Sequence, residues 1–162
     1  MRSSATQDVL VSTLSVGLSP DTLLRNTTYH FRVASLNQAG APNYTVLGAT
    51  MTLPAAIVPQ FLAVFASSVS AHWPALPAAP PEASAAGYRL EASTTDFGAA
   101  SPGGVVLSSQ TSVLAASTLT IAGLAPHVTY YFRAASLNAA GGAHYTVSAA
   151  TVPSRYGVVP VP

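Results

Sequence analysis

Thr129-Tyr130-Tyr131-Phe132-Arg133-Ala134-Ala135-Ser136-Leu137-Asn138 repeats an earlier stretch, Thr28-Tyr29-His30-Phe31-Arg32-Val33-Ala34-Ser35-Leu36-Asn37. The offset is 101 residues (129 less 28), and it holds through Ala39-Gly40 with Ala140-Gly141 and Tyr44-Thr45-Val46 with Tyr145-Thr146-Val147. Over residues 28–50 against 129–151, 15 of 23 positions are identical. A period of that length is a whole domain rather than one rung of a solenoid. Inside the repeat the pattern is β. Tyr130, Phe132 and Ala134 alternate with Tyr131, Arg133 and Ala135, as expected of a strand with one buried face. Asn138-Ala139-Ala140-Gly141-Gly142 reads as a turn, and Tyr145 to Thr151 as the returning strand of a hairpin.

Working outward, Thr118 to Ile121 reads as a strand that ends at Ala122-Gly123-Leu124-Ala125-Pro126, because proline cannot donate to a central ladder. Tyr88-Arg89-Leu90-Glu91-Ala92 and Val69-Ser70-Ala71-His72-Trp73 alternate in the same way. No stretch sustains a 3.6-residue apolar period with caps; Ala55 to Ala66 comes nearest, and Pro59 interrupts it. The sequence predicts an all-β chain.

These residues resemble fibronectin type III domains. Trp73 looks like the core tryptophan of an early strand, and Tyr88 like the first core aromatic of the next. Leu124-Ala125-Pro126, with Tyr130 six residues after Leu124, is similar to the family's leucine–proline–tyrosine signature, whose tyrosine hydroxyl bonds to upstream backbone. The resemblance implies an immunoglobulin-like antiparallel β-sandwich, one complete module and one half-module. The expected division is residues 1–54 as the C-terminal half of a module, 55–153 as the complete module, and 154–162 as a linker or first strand of a following one. Trp73, Tyr88, Leu124, Tyr130 and Phe132 are the expected structural core, with Tyr29 and Phe31 in the first copy. That copy departs from the pattern: Leu18-Ser19-Pro20 lies 11 residues before Tyr29, which implies a longer loop at its tyrosine corner. It also lacks the tryptophan and early tyrosine strands.

Composition narrows the function classes. Charged residues are 7% of the chain, against roughly 25% in an average soluble domain. Every basic side chain among the six is arginine, and the net charge is +1. No field gathers phosphate or anionic lipid, so no nucleic-acid partner is expected. Between Arg32 and Glu82 there is no charged side chain, yet Pro42, Pro54, Pro59, Pro74 and Pro77 break the run and no membrane insertion is expected. Cysteine is absent, which removes disulfides and thiolate metal sites. The opening residues 1–8 carry no apolar h-region and do not read as a signal peptide.

Chemistry-bearing residues are scattered. No Gly-x-Ser-x-Gly elbow occurs, and no carboxylate lies near His72, His127 or His144 in sequence. His30, His72, His127 and His144 fall one per segment, so neither a metal nor any other cofactor is expected. Arg89 and Glu91 are expected to point to solvent, with Glu91 near Arg133 on the neighbouring strand, a contact of about 0.2–1 kcal/mol. Asn26-Thr27-Thr28 and Asn43-Tyr44-Thr45 match the N-glycosylation pattern. Tyr131, Phe97 and Tyr156 are the candidates for an aromatic sugar platform.

The expected function is non-catalytic: a structural or adhesive segment of an extracellular or cell-surface bacterial protein with tandem modules. The alanine-rich, lysine-free composition points to a GC-rich bacterial genome. A half-sandwich leaves an edge and an apolar face that recruit other chains, so self-association is the expected partnership. Strand complementation into a filament is one form of it, with Tyr156, Val158, Val159 and Val161 of the tail as assembly candidates. The alternative is a carbohydrate-binding accessory module beside a secreted enzyme.

Overall fold

The computed structural model describes residue 14, residues 23–97 and residues 106–151. Nine strands run through them: β1 (Thr28–Leu36), β2 (Pro42–Met51), β3 (Gln60–Val64), β4 (Ser68–His72), β5 (Gly87–Ser93), β6 (Val106–Thr111), β7 (Thr118–Ala122), β8 (Tyr130–Leu137) and β9 (Ala143–Thr151). All pairings are antiparallel. Sheet order is β3-β4-β7 for one layer and β6-β5-β8-β9 for the other; β1 and β2 form a separate hairpin.

The alternation read from the sequence explains the packing. Tyr88, Leu90 and Ala92 of β5 and Phe132 and Ala134 of β8 turn inward, where they meet Val69 and Ala71 of β4, Ile121 of β7 and Trp73. The Trp73 ring lies 5.2 Å from that of Tyr88 at a 50° tilt. Phe132 meets Phe61 edge-on, with centroids 5.3 Å apart and planes at 87°, the arrangement favoured by ring quadrupoles. The buried Tyr88 hydroxyl accepts from Leu76 N at 2.7 Å and donates to Leu114 O at 2.9 Å.

The two copies of the repeat share backbone detail as well as sequence. Each hairpin has a register shift at the same place, between Phe31 and Arg32 in one and between Tyr131 and Arg133 in the other. Their corners also match, which corrects the expectation of a longer loop in the first copy. Leu24 N donates to the Tyr29 hydroxyl at 2.9 Å, as Ala125 N donates to the Tyr130 hydroxyl at 3.2 Å, each five residues apart. Asn26 and His127 hold the same left-handed position, at φ 49° and 63°. Leu23-Leu24 thus takes the place of Leu124-Ala125 with no insertion. Arg25 stands where Pro126 does, and that removed the proline by which the corner would be aligned. Leu18-Ser19-Pro20 lies outside the described residues, as do Tyr156, Val158, Val159 and Val161.

Burial separates the copies. Phe132 is fully buried, whereas its counterpart Phe31, like Tyr29, is only half-buried. Val33 is 40% exposed where Ala134 is 0%, and Leu36 is 56% exposed where Leu137 is 5%. Tyr29 and Phe31 therefore do not form a closed core: among the described residues no second sheet lies over the β1–β2 hairpin.

Candidate functional site

Two constellations of polar side chains stand out, one on the outer face of the four-stranded sheet and one where the hairpin meets the sandwich. On the outer face β5 lies between β6 and β8, with Glu91 opposite Arg133. Arg133 reaches across with Nε and Nη2, each 2.7 Å from Glu91 Oε2. The Tyr145 hydroxyl donates to Glu91 Oε1 at 2.9 Å, and Arg89 Nη1 stands 3.8 Å from the same oxygen. Arg89 is itself held by Gln110 Oε1, at 3.0 Å from Nε and 2.8 Å from Nη2. The Arg133 guanidinium is stacked between two rings, 3.8 Å from the Tyr145 centroid and 4.2 Å from that of Phe97.

This corrects the expectation that Glu91 faces solvent. It is on the outward side of its strand, but planar side chains from β8 and β9 roof it over, leaving it 8% exposed. Both carboxylate oxygens are engaged, so the cluster is a clasp across three strands. Its loss is expected to exceed the value of an exposed surface pair, because the remaining partners would be left half-buried and unmatched. The clasp also occupies Phe97, whose ring faces Arg133 and is not free as part of a flat sugar platform. Tyr131 is half-buried, and Tyr156 lies outside the described residues.

The second constellation is the joint. Residues 51–55 leave the hairpin and enter the sandwich, and their backbone is gripped at almost every step. Asn138 Nδ2 donates to Thr52 O at 3.1 Å and, more weakly, to Met51 O at 3.4 Å. His144 Nδ1 donates to Pro54 O at 2.9 Å, since a carbonyl can only accept. Ser136 Oγ donates to Ala55 O, and Ala55 N donates to Ser84 O at 3.5 Å. From the hairpin side, Asn26 Nδ2 donates to Pro81 O at 3.1 Å. The Pro54 ring is fully buried, and its fixed φ removes one more freedom from the linker.

Local chemistry puts Asn138 in position to do this. Its Oδ1 accepts from Ala140 N at 3.1 Å and Gly142 N at 2.7 Å, closing the β8–β9 turn. A Cβ on Gly142 would stand 2.8 Å from the Asn138 amide nitrogen, so glycine there lets the amide sit down on the turn. Asn37 closes the first hairpin in the same manner, accepting from Ala39 N at 3.0 Å and Ala41 N at 2.8 Å. In the sequence Asn138 reads as a turn residue and His144 as one of four scattered histidines; neither reads as a clamp. The signal was their place beside the linker, which is a property of the fold. An open recess of about 310 Å³ flanks the joint, lined by Thr28, Ala49, Thr50, Met51, Ala139 and Ala140, none of them titratable.

The remaining expected residues have structural roles. Trp73, Tyr88, Leu124, Tyr130 and Phe132 are buried in the sandwich. His30 and His127 are exposed and far apart in the chain. Among the described residues no group of three His, Asp or Glu side chains could hold a metal ion, and no helix is long and apolar enough to cross a membrane.

Three strands packed on four, in the order β3-β4-β7 over β6-β5-β8-β9, with a buried tryptophan and a tyrosine corner, define a sandwich of the fibronectin type III class. No family model matches the chain, and no curated protein does. Solved structures similar to it include the FN1–FN3 domains of chicken CNTN1, at 16% identity and TM-score 0.48 over 83% of this chain and 45% of that one. Domains A168-A170 from titin are similar at 18% identity and TM-score 0.47, over 83% and 44%. The third fibronectin III domain of human KIAA0343 protein is similar at 18% identity and TM-score 0.40, over 60% and 82%. The chain spans less than half the length of the CNTN1 and titin fragments. Strand order, and not these distant likenesses, defines the class.

Proposed function

We propose that the chain is a non-catalytic structural and adhesive segment of an extracellular bacterial surface protein, in which fibronectin type III-like modules follow one another as spacers and self-associating units. The joint carries this reading. A flexible tether needs no side chains on its backbone, whereas here Asn138, His144 and Ser136 bind linker carbonyls and Asn26 reaches the other way. Grips on the backbone leave the linker's own side chains free to vary, as suits a connector repeated along an array. The low charge and the hydroxyl-rich surface agree with a protein whose contacts are mainly with like neighbours. The test is ¹⁵N relaxation on the full chain. Amides of β1 and β2 are expected to report the same overall tumbling time as those of β5 and β8. A separate, shorter time for the hairpin would refute the stiff spacer.

A further inference from the structure

The β1–β2 hairpin is the β8–β9 hairpin made a second time, and the complete sandwich displays what the free copy lacks. β8 is a central strand. On one side it pairs with β9, and on the other with β5, in the register Tyr88↔Ser136, Leu90↔Ala134, Glu91↔Arg133 and Ala92↔Phe132. β1 pairs with β2 on one side, and among the described residues nothing pairs on the other. Shifted back by the repeat offset, the β5 partners become Ser35, Val33, Arg32 and Phe31.

The side chains around that edge are already arranged. Arg32 Cζ lies 3.9 Å from the Tyr44 ring centroid, as Arg133 lies 3.8 Å from that of Tyr145. Arg133 is met by the Glu91 carboxylate; Arg32 has no acidic partner among the described residues. On the opposite face Val33 stands exposed where Ala134 is covered, and Leu36, at the end of the strand, is exposed where Leu137 is covered. The free hairpin is thus short of two things that one strand supplies, backbone pairing and a carboxylate, and such a strand would also set apolar side chains beside Phe31 and Val33.

We propose that the open edge of β1 is a docking site for an antiparallel partner strand with the chemistry of β5. That strand places a carboxylate opposite Arg32 on one face and apolar side chains beside Phe31 and Val33 on the other. Main-chain hydrogen bonds supply affinity and the alternating side chains supply register. Charge selects among candidates. The tail 154–162 carries Arg155 and no acidic side chain, so it offers Arg32 no carboxylate. This inference rests on the tandem-module reading but fails apart from it, since stiffness of the joint does not involve the β1 edge.

The probe is a synthetic peptide of residues 86–94, titrated into ¹⁵N-labelled full chain. Amides of β1 and the Arg32 Nε–H signal are expected to shift while those of β8 stay in place. The same peptide with Glu91→Gln should bind about tenfold more weakly, the size of one charge-assisted hydrogen bond. An Arg32→Gln chain should lose the same factor toward the unaltered peptide. The peptide comparison uses the unaltered chain, so it stands even where that substitution unfolds the hairpin. Unshifted β1 amides at millimolar peptide, equal binding of the two peptides, or equal binding by a peptide of residues 154–162 would each overturn the proposal.

Discussion

Asn138 should be worth more than Asn37, although the two occupy the same place in the repeat and close the same turn. Asn138 is 3% exposed and spends both ends of its amide: Oδ1 on Ala140 N and Gly142 N, Nδ2 on Thr52 O and Met51 O. Replacement by alanine strands two turn amides and strips the linker carbonyls of their donor in a site from which water is largely excluded. At about 1 kcal/mol for each of the better bonds, Asn138→Ala should destabilise the sandwich by about 2–3 kcal/mol. Asn37 is exposed, and water can take over for its Oδ1, so Asn37→Ala should cost no more than about 0.5–1 kcal/mol, confined to the hairpin. Trp73 is the only tryptophan and lies in the sandwich core, so its fluorescence in a urea titration follows that domain alone. The alanine variant at 138 should lower its midpoint clearly and the one at 37 should leave it unmoved. Asn138→Asp separates turn from joint. It keeps the acceptor for the two turn amides but sets a carboxylate oxygen against the carbonyls of Thr52 and Met51. Its Trp73 midpoint should fall as well, because a buried carboxylate oxygen then faces two carbonyls, and hairpin and sandwich should cease to tumble together. Equal midpoints for the two alanine variants, or an aspartate variant that still tumbles as one body, would refute the clamp.

Trp73→Ala should cost about 3–5 kcal/mol, enough to unfold a marginal domain; its Nε1 is buried without an acceptor among the described residues, so Trp73→Phe should cost under half as much, as thermal melting followed by far-UV circular dichroism would show. Glu91→Gln should lower stability by about 2 kcal/mol, because it leaves Arg133 half-buried with a neutral partner, and a double-mutant cycle with Arg133→Gln should recover most of that as coupling. Gly87→Ala should destabilise by about 1–3 kcal/mol, since its Cβ would stand 2.3 Å from Thr111 O, and faster hydrogen exchange along β6 should accompany the loss.

Much of the sandwich was legible because its large residues alternate. Tyr130 and Phe132 announce an inner face by size and alternation, the resemblance to fibronectin type III domains adds Trp73, Tyr88 and Leu124, and the repeat shows that the hairpin occurs twice. The smaller members of the core, Ala71, Ala92 and Ala134, were placed only by their spacing from larger neighbours, because alanine is common on both faces of this chain. The outward face was harder. Alternation tells which side of a sheet a residue takes, not whether that side is wet, and Glu91 is the instance: Arg133 and Tyr145 close over it from strands that lie 42 and 54 residues away in sequence.

The joint was the least legible part, for a related reason. Its hydrogen bonds run from side chains of one segment to backbone carbonyls of another, over separations such as 86 residues for Asn138 to Thr52 and 90 for His144 to Pro54. A carbonyl has no identity in the sequence, so such a contact leaves neither a motif nor a period. Repetition does leave a trace, though only by comparison. Asn37 and Asn138 are the same residue in the same turn, yet Asn138 alone has a linker beside it. His144 stands where the first copy has Asn43, and it too reaches the linker. A side chain kept in both copies reports what the turn needs, and one that differs between them reports what its surroundings need. By that rule the free hairpin's Arg32 and Tyr44, kept alongside Arg133 and Tyr145, belong to the sheet itself, and the carboxylate that meets Arg133 has no counterpart at Arg32 among the described residues.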